Sequence, residues 1–260
     1  MHKNIDIIIT WNPEESSEKL LIYTLRSIYQ TTLNRGKIII VGPEKPKKLK
    51  FHDVAFFKYN YESKFKHQAS LARQLKHVLK SYPELSRQFI LWNIGYMNFV
   101  QLDLIEYINT INFKNLNQSV VHSPESRFTP LNRARKLTYN YLVQRHKDYM
   151  DFETDRPFLF NKVILQDLVL PLIERQGYCI RSIYGNEFCE EIQQLLDEAE
   201  LKLQNSSEAH LAPFLIENCP DNGIYGIKVY EQIFHIELDE FTKNQLKEFL
   251  SCFVKCDLEK

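Results

Sequence analysis

Apolar positions along this chain follow two alternating rhythms. Short, mainly apolar runs occupy Ile5–Thr10, Lys37–Val41 (KIIIV), Val54–Phe57 and Phe89–Trp92 (FILW). A run of that length, bounded by turn residues, reads as a strand buried on both faces. Between them the spacing turns helical: Leu20, Leu21, Leu25 and Ile28 fall on one helix face, and Ala69–Leu79 repeats the pattern before Pro83 ends it. Strands alternating with helices across the first hundred residues predict a mainly parallel sheet with helices on both faces. Further on, the pattern predicts a helix around Leu131–Gln144, an extended Pro157–Phe160, and helices over Val163–Arg175, Glu187–Leu203 and Asp239–Val254, with no clear second sheet.

Punctuation along the chain is sparse. Gln204–Glu208 is the one obvious polar break, and neither a repeat nor a Gly/Ser linker interrupts the rest, so one continuous domain over residues 1–260 is expected. With 260 residues, 44% of them hydrophobic, the chain can bury a sizeable core.

Charge narrows the partners. Lys plus Arg and Asp plus Glu number 33 each, so nothing in the balance calls for nucleic acid, an anionic membrane or an acidic tail. A nucleic-acid-modifying enzyme would need a basic stripe that this neutral composition does not reveal. The run Gly42–Lys50 is basic enough to touch phosphate, but a solvated lysine loop explains it more simply. The N-terminus reaches Asp6 before a short apolar run, which is neither a signal-peptide core nor a membrane span, so a cytoplasmic protein is expected. The five cysteines form no CxxC pair and read as reduced structural thiols.

Ligands of open α/β sheets bind beyond the carboxyl ends of the strands. That directs attention to Trp11–Glu15, Gly42–Lys48, Lys58–Lys66 and Asn93–Asn98. No GxGxxG follows the first strand and no GxxxxGK[ST] occurs, which argues against dinucleotide oxidoreductases and P-loop enzymes; HExxH and GxSxG are absent too. Trp11, at a strand end, could stack on a base or belong to the core.

Six stretches occur in an order that resembles bacterial and phage GT-A-like glycosyltransferases and, more distantly, the Stealth sugar-phosphate transferases. They are IDIIITW (Ile5–Trp11), YTLRSIY (Tyr23–Tyr29), KIIIVG (Lys37–Gly42), ELSRQFILWN (Glu84–Asn93), ETDRPFLFNK (Glu153–Lys162) and RSIYGN (Arg181–Asn186). The resemblance implies an α/β, Rossmann-like GT-A fold with a helical C-terminal portion: residues 1–125 form a nucleotide-binding half, residues 126–260 an acceptor-binding half. It implies a nucleotide-diphospho-sugar donor and a glycan or other acceptor. It also implies a site in which Arg181 and Lys66 meet the diphosphate, Asp155 acts as base or ligand, and Trp11, Arg26, Asn93 and Asn186 help bind the donor.

The chain departs from the family pattern at two places that carry chemistry. Relatives read Asn-Asp-Asp after the fourth strand, where carboxylates hold Mn²⁺ or Mg²⁺, and this chain reads Asn93-Ile94-Gly95. Relatives place a His two residues before the proline of the NK segment, and Asp155 stands there here. The resemblance is therefore compatible with a metal-independent transferase or with a binding module that has lost catalysis.

Overall fold

The computed structural model describes residues 4–60, 67–98, 101–104, 114–115, 129–145, 150–153, 155–188, 202–203, 226–230, 240–251 and 253. β1 (Ile5–Thr10) leads through a short loop into α1 (Glu18–Thr31), followed by β2 (Thr32–Leu33), β3 (Arg35–Gly42), β4 (Val54–Lys58), α2 (His67–Ser81), β5 (Gln88–Trp92), β6 (Tyr96–Asn98), β7 (Leu102–Asp103) and β8 (Lys114–Asn115). Then come α3 (Pro130–Gln144), β9 (Met150–Asp151), β10 (Phe158–Asn161), α4 (Lys162–Ile164), a π-helical stretch (Leu165–Val169), α5 (Leu170–Gln176), α6 (Ile180–Phe188), β11 (Lys202–Leu203), β12 (Gly226–Val229) and α7 (Glu240–Ser251).

The main sheet has the order β10-β5-β1-β3-β4. The three pairings within β5-β1-β3-β4 are parallel, and β10 closes the edge antiparallel to β5. Apolar runs such as Ile7-Ile8-Ile9 arise because both faces of the sheet are covered. Ile7, Ile9, Ile38, Ile40, Ile90 and Trp92 pack with Leu20, Leu21, Leu25 and Ile28 of α1 and with Leu246 and Leu250 of α7. Ile8, Ile39, Val41, Phe89 and Leu91 face the other way, onto Ala72, Leu75 and Val78 of α2 and Leu170, Ile173, Ile180 and Ile183 of the later helices. Burying each such side chain contributes roughly 1.5–3 kcal/mol, so the central strands hold the layers together.

Every predicted strand of the first hundred residues is present, within one or two residues of its expected ends. The helix expected over Val163–Arg175 is present too but carries the π-helical stretch, and Pro171 follows Leu170 at the first position of α5, where a missing N–H is tolerated. Two expectations fail. A second sheet does exist, three-stranded in the order β11-β12-β6, and Lys202–Leu203 is a strand of it, not the end of a helix. Its strands are two to four residues long, too short for a period-2 pattern to register. Of the remaining Glu187–Leu203 prediction, residues 187–188 belong to α6 and residues 189–201 lie outside the described residues.

Candidate functional site

In the order β10-β5-β1-β3-β4 the chain lays β3 and β4 on one side of β1 and β5 on the other, so the order reverses at the carboxyl ends of β1 and β5. A cavity of about 250 Å³ opens at that point. Thr10, Trp11, Asn12, Glu15 and Ser16 line it from the end of β1 and the loop that follows; Leu91, Asn93 and Ile94 come from the end of β5; Gln74 and Leu71 from α2; Asp155 and Lys228 from the second half of the chain.

The β1 side is fixed by backbone. Trp11 N–H donates to Val41 O at 2.9 Å and its indole Nε1–H donates to Ser16 O at 3.2 Å. Asn12 turns the loop by accepting from Glu14, Glu15 and Ser16 amides, and Ser17 caps α1 through Leu20 N–H. Gly42 permits the close approach, since a Cβ there would lie 2.4 Å from Trp11 O. Trp11 is only 4% exposed, so it forms a wall of the cavity and part of the core, not an open stacking platform.

On the β5 side, Asn93 is held from two directions. Its Oδ1 accepts from Arg181 Nη2 at 2.8 Å, and its Nδ2 donates to Asp155 O at 3.2 Å. The Asp155 carboxylate accepts from the Tyr230 hydroxyl at 2.8 Å through Oδ2 and faces Lys228 Nζ at 3.7 Å through Oδ1. Lys228 Nζ also donates to Ile94 O at 2.5 Å. β12 brings Lys228 there by pairing antiparallel with β6, Lys228 opposite Tyr96. Val229 N–H donates to Gly95 O at 2.8 Å, and Gly95 N–H donates to the Thr24 hydroxyl of α1 at 2.8 Å.

Arg181 occupies a different place from the expected one. It is 5% exposed, lies in the first turn of α6, is not among the cavity's lining residues, and donates to Asn93, which is. The segment Tyr184-Gly185-Asn186 continues the same helix. Beneath it, Glu153 Oε1 accepts the backbone N–H of Arg181 at 2.9 Å and of Ser182 at 3.1 Å, capping the start of α6. Although Glu153 as a residue is only half-buried, its carboxyl is desolvated. That burial pushes its pKa above the usual carboxylate range, Asp151 adds to the rise, and Arg181, the Ser182 amide and Arg135 oppose it.

Other expected site residues are dispersed. Arg26 lies within α1 with its guanidinium 5.5 Å from the centre of the Tyr23 ring, and is not part of the cavity lining. Asn186 clips Met150, donating to its carbonyl at 2.8 Å and accepting from its amide at 2.9 Å. Lys66 lies outside the described residues. Lys228, in the four-residue β12, and Tyr230, just after it, carry no periodic signal long enough to mark them in the sequence. The alternation Ile227-Lys228-Val229-Tyr230 was the sole available signal.

The donor set does not suit a hard divalent cation. Positions 94 and 95, carboxylates in the resembled family, are a buried isoleucine and a glycine, and the Asp155 carboxylate already faces an ammonium. Among the described residues no group of three or more His, Cys, Asp or Glu side chains could hold a metal.

A mainly parallel sheet between helical layers, with a cavity at the strand-order reversal, defines a Rossmann-like α/β protein. The apo structure of WbbM, a bifunctional glycosyltransferase, shares the fold at a TM-score of 0.52 and 11% identity, covering 100% of this chain and 51% of that one. The glycosyltransferase GlyE of Streptococcus pneumoniae TIGR4 matches at 0.47 and 8%, covering 96% of this chain and 62% of GlyE. The chain thus spans about half the length of WbbM. No protein-family model and no curated protein sequence matches it. The architecture is the GT-A fold of glycosyltransferases. No helix among the described residues is long and apolar enough to cross a membrane.

Proposed function

We propose that the chain is a glycosyltransferase that takes a sugar, or a sugar phosphate, from a nucleotide-activated donor and passes it to a glycan or other acceptor. The observation that carries this reading is the cavity at the carboxyl ends of β1 and β5, where open α/β sheets bind their ligands. Its volume of about 250 Å³ falls below the roughly 300–1,000 Å³ usual for whole ligands, so it takes only part of a donor.

Sugar transfer breaks the bond between the anomeric carbon and the terminal diphosphate oxygen, and the electron pair leaves with the nucleoside diphosphate. A bond forms from the acceptor oxygen to that carbon, and the acceptor proton passes to a base. Asp155 is assigned the base, Asn93 a donor contact, and Trp11 the inner wall. Arg181 is assigned a positioning role through Asn93. In this reading residues 1–125 supply most of the donor wall, and residues 126–260 add Asp155 and Lys228.

A second reading, a module that binds the donor without transferring it, draws support from the Asp155 carboxylate being engaged by Tyr230 and Lys228. Calorimetric titration of nucleoside diphosphates and their sugars into wild type and Asn93→Ala, followed by assay of nucleoside diphosphate release for sugar transfer and nucleoside monophosphate release for sugar-phosphate transfer, tests both. Binding that weakens about tenfold or more in the variant supports the donor site. Binding with no release under any acceptor favours the module, and silence across the panel refutes both readings.

A further inference from the structure

We infer that the Lys228 ammonium, and not a divalent cation, meets the donor diphosphate in this cavity, so that this chain holds the donor without metal. The inference rests on the nucleotide-sugar reading of the cavity.

Geometry ties the loss of one device to the gain of the other. Gly95 has φ +85°, and a Cβ on it would lie 2.2 Å from Val229 O. An aspartate at position 95 is therefore incompatible with β12 where it lies. The same docking of β12 puts Lys228 beside Ile94 O and Asp155. Strand and side-chain carboxylate compete for one space; here the strand has it, and a cation enters with it.

Lys228 is also placed to act on an anion. Its side chain is 11% exposed and lines the cavity. A partly desolvated ammonium attracts a diphosphate far more strongly than a solvated one, because the effective dielectric is lower. Asp155 on one side and the Ile94 carbonyl on the other hold the amine in place, so little of its rotamer freedom is left to lose when the ligand arrives. A divalent cation drawn to Asp155 would meet that ammonium, and the like charge disfavours its entry.

Affinities of uridine, guanosine, cytidine and adenosine diphosphates for the full chain, measured calorimetrically in EDTA and in manganese or magnesium, test the inference. Wild type, Lys228→Gln and Lys228→Arg are compared. In wild type the affinity for the bound diphosphate changes by less than about threefold on adding metal. Lys228→Gln weakens that diphosphate by about tenfold or more, the worth of a charge-assisted hydrogen bond, and weakens the matching monophosphate less; Lys228→Arg keeps most of the affinity. Metal that tightens wild-type binding by about tenfold overturns the inference and leaves the nucleotide-sugar reading standing. Undiminished binding in Lys228→Gln overturns it likewise. Absence of any diphosphate binding overturns both. The wild-type metal comparison needs no variant, so it can overturn the inference even if Lys228→Gln fails to fold.

Discussion

Replacing Gly95 by alanine tests how the candidate site is built. The residue sits at φ +85°, a conformation that costs a side-chain-bearing residue roughly 1–2 kcal/mol. Its new Cβ would lie 2.2 Å from Val229 O, a backbone atom that cannot rotate away. Relief requires β12 to shift, which strains the 2.8 Å bond from Val229 N–H to Gly95 O. Tilting the turn instead strains the 2.8 Å bond from Gly95 N–H to Thr24. Each such bond contributes about 1 kcal/mol. A total loss of about 2–4 kcal/mol is expected in urea denaturation. Because Lys228 moves with β12, nucleoside diphosphate affinity falls as well, by about tenfold. A Gly95→Ala protein within about 0.5 kcal/mol of wild type, with unchanged affinity, would refute the claim that the close approach of β12 fixes Lys228.

Three other outcomes follow from the same contacts. Arg181→Ala removes the donor to Asn93 Oδ1 and the cation beside Glu153, so a loss of about 3–5 kcal/mol is expected in chemical denaturation; unchanged stability with lost phosphate binding would instead make Arg181 a direct ligand contact. Glu153 has its carboxyl raised chiefly by burial. Its folded form therefore binds the proton more tightly than its unfolded form, and its stabilising contribution, full at acid pH, is lost as pH rises from the ordinary glutamate range through the folded value. Thermal melts across that range should show this decline in wild type and not in Glu153→Gln; parallel profiles would disprove the assignment. Asp155→Asn leaves an acceptor for Tyr230 but removes the charge facing Lys228, and the expected result is a transfer rate lower by about a hundredfold or more with donor affinity changed by less than about tenfold. An equal loss in both would remove Asp155 from the base role.

What the sequence determined is the layered sheet. Runs such as Ile7-Ile8-Ile9 and Ile38-Ile39-Ile40 leave no polar face, and only a strand covered on both sides accommodates that. The helical spacing of Leu21, Leu25 and Ile28 likewise requires a face laid on that sheet. Sequence spacing also pointed to the strand ends, where Trp11 and Asn93 line the cavity; Asp155, which the resemblance singled out, lines it too. Arg181 illustrates what spacing cannot settle: its guanidinium chemistry suited a diphosphate, but burial in α6 turned it toward Asn93. Lys228 is the reverse case, an unremarkable lysine 134 residues from Ile94 that a four-residue strand carries to Ile94 O. Local patterns record which residues must be buried and at what period, because each element must cover its own apolar face. Which charges meet is decided by pairings between distant segments, β12 on β6 above all, and these leave no periodic trace in the chain.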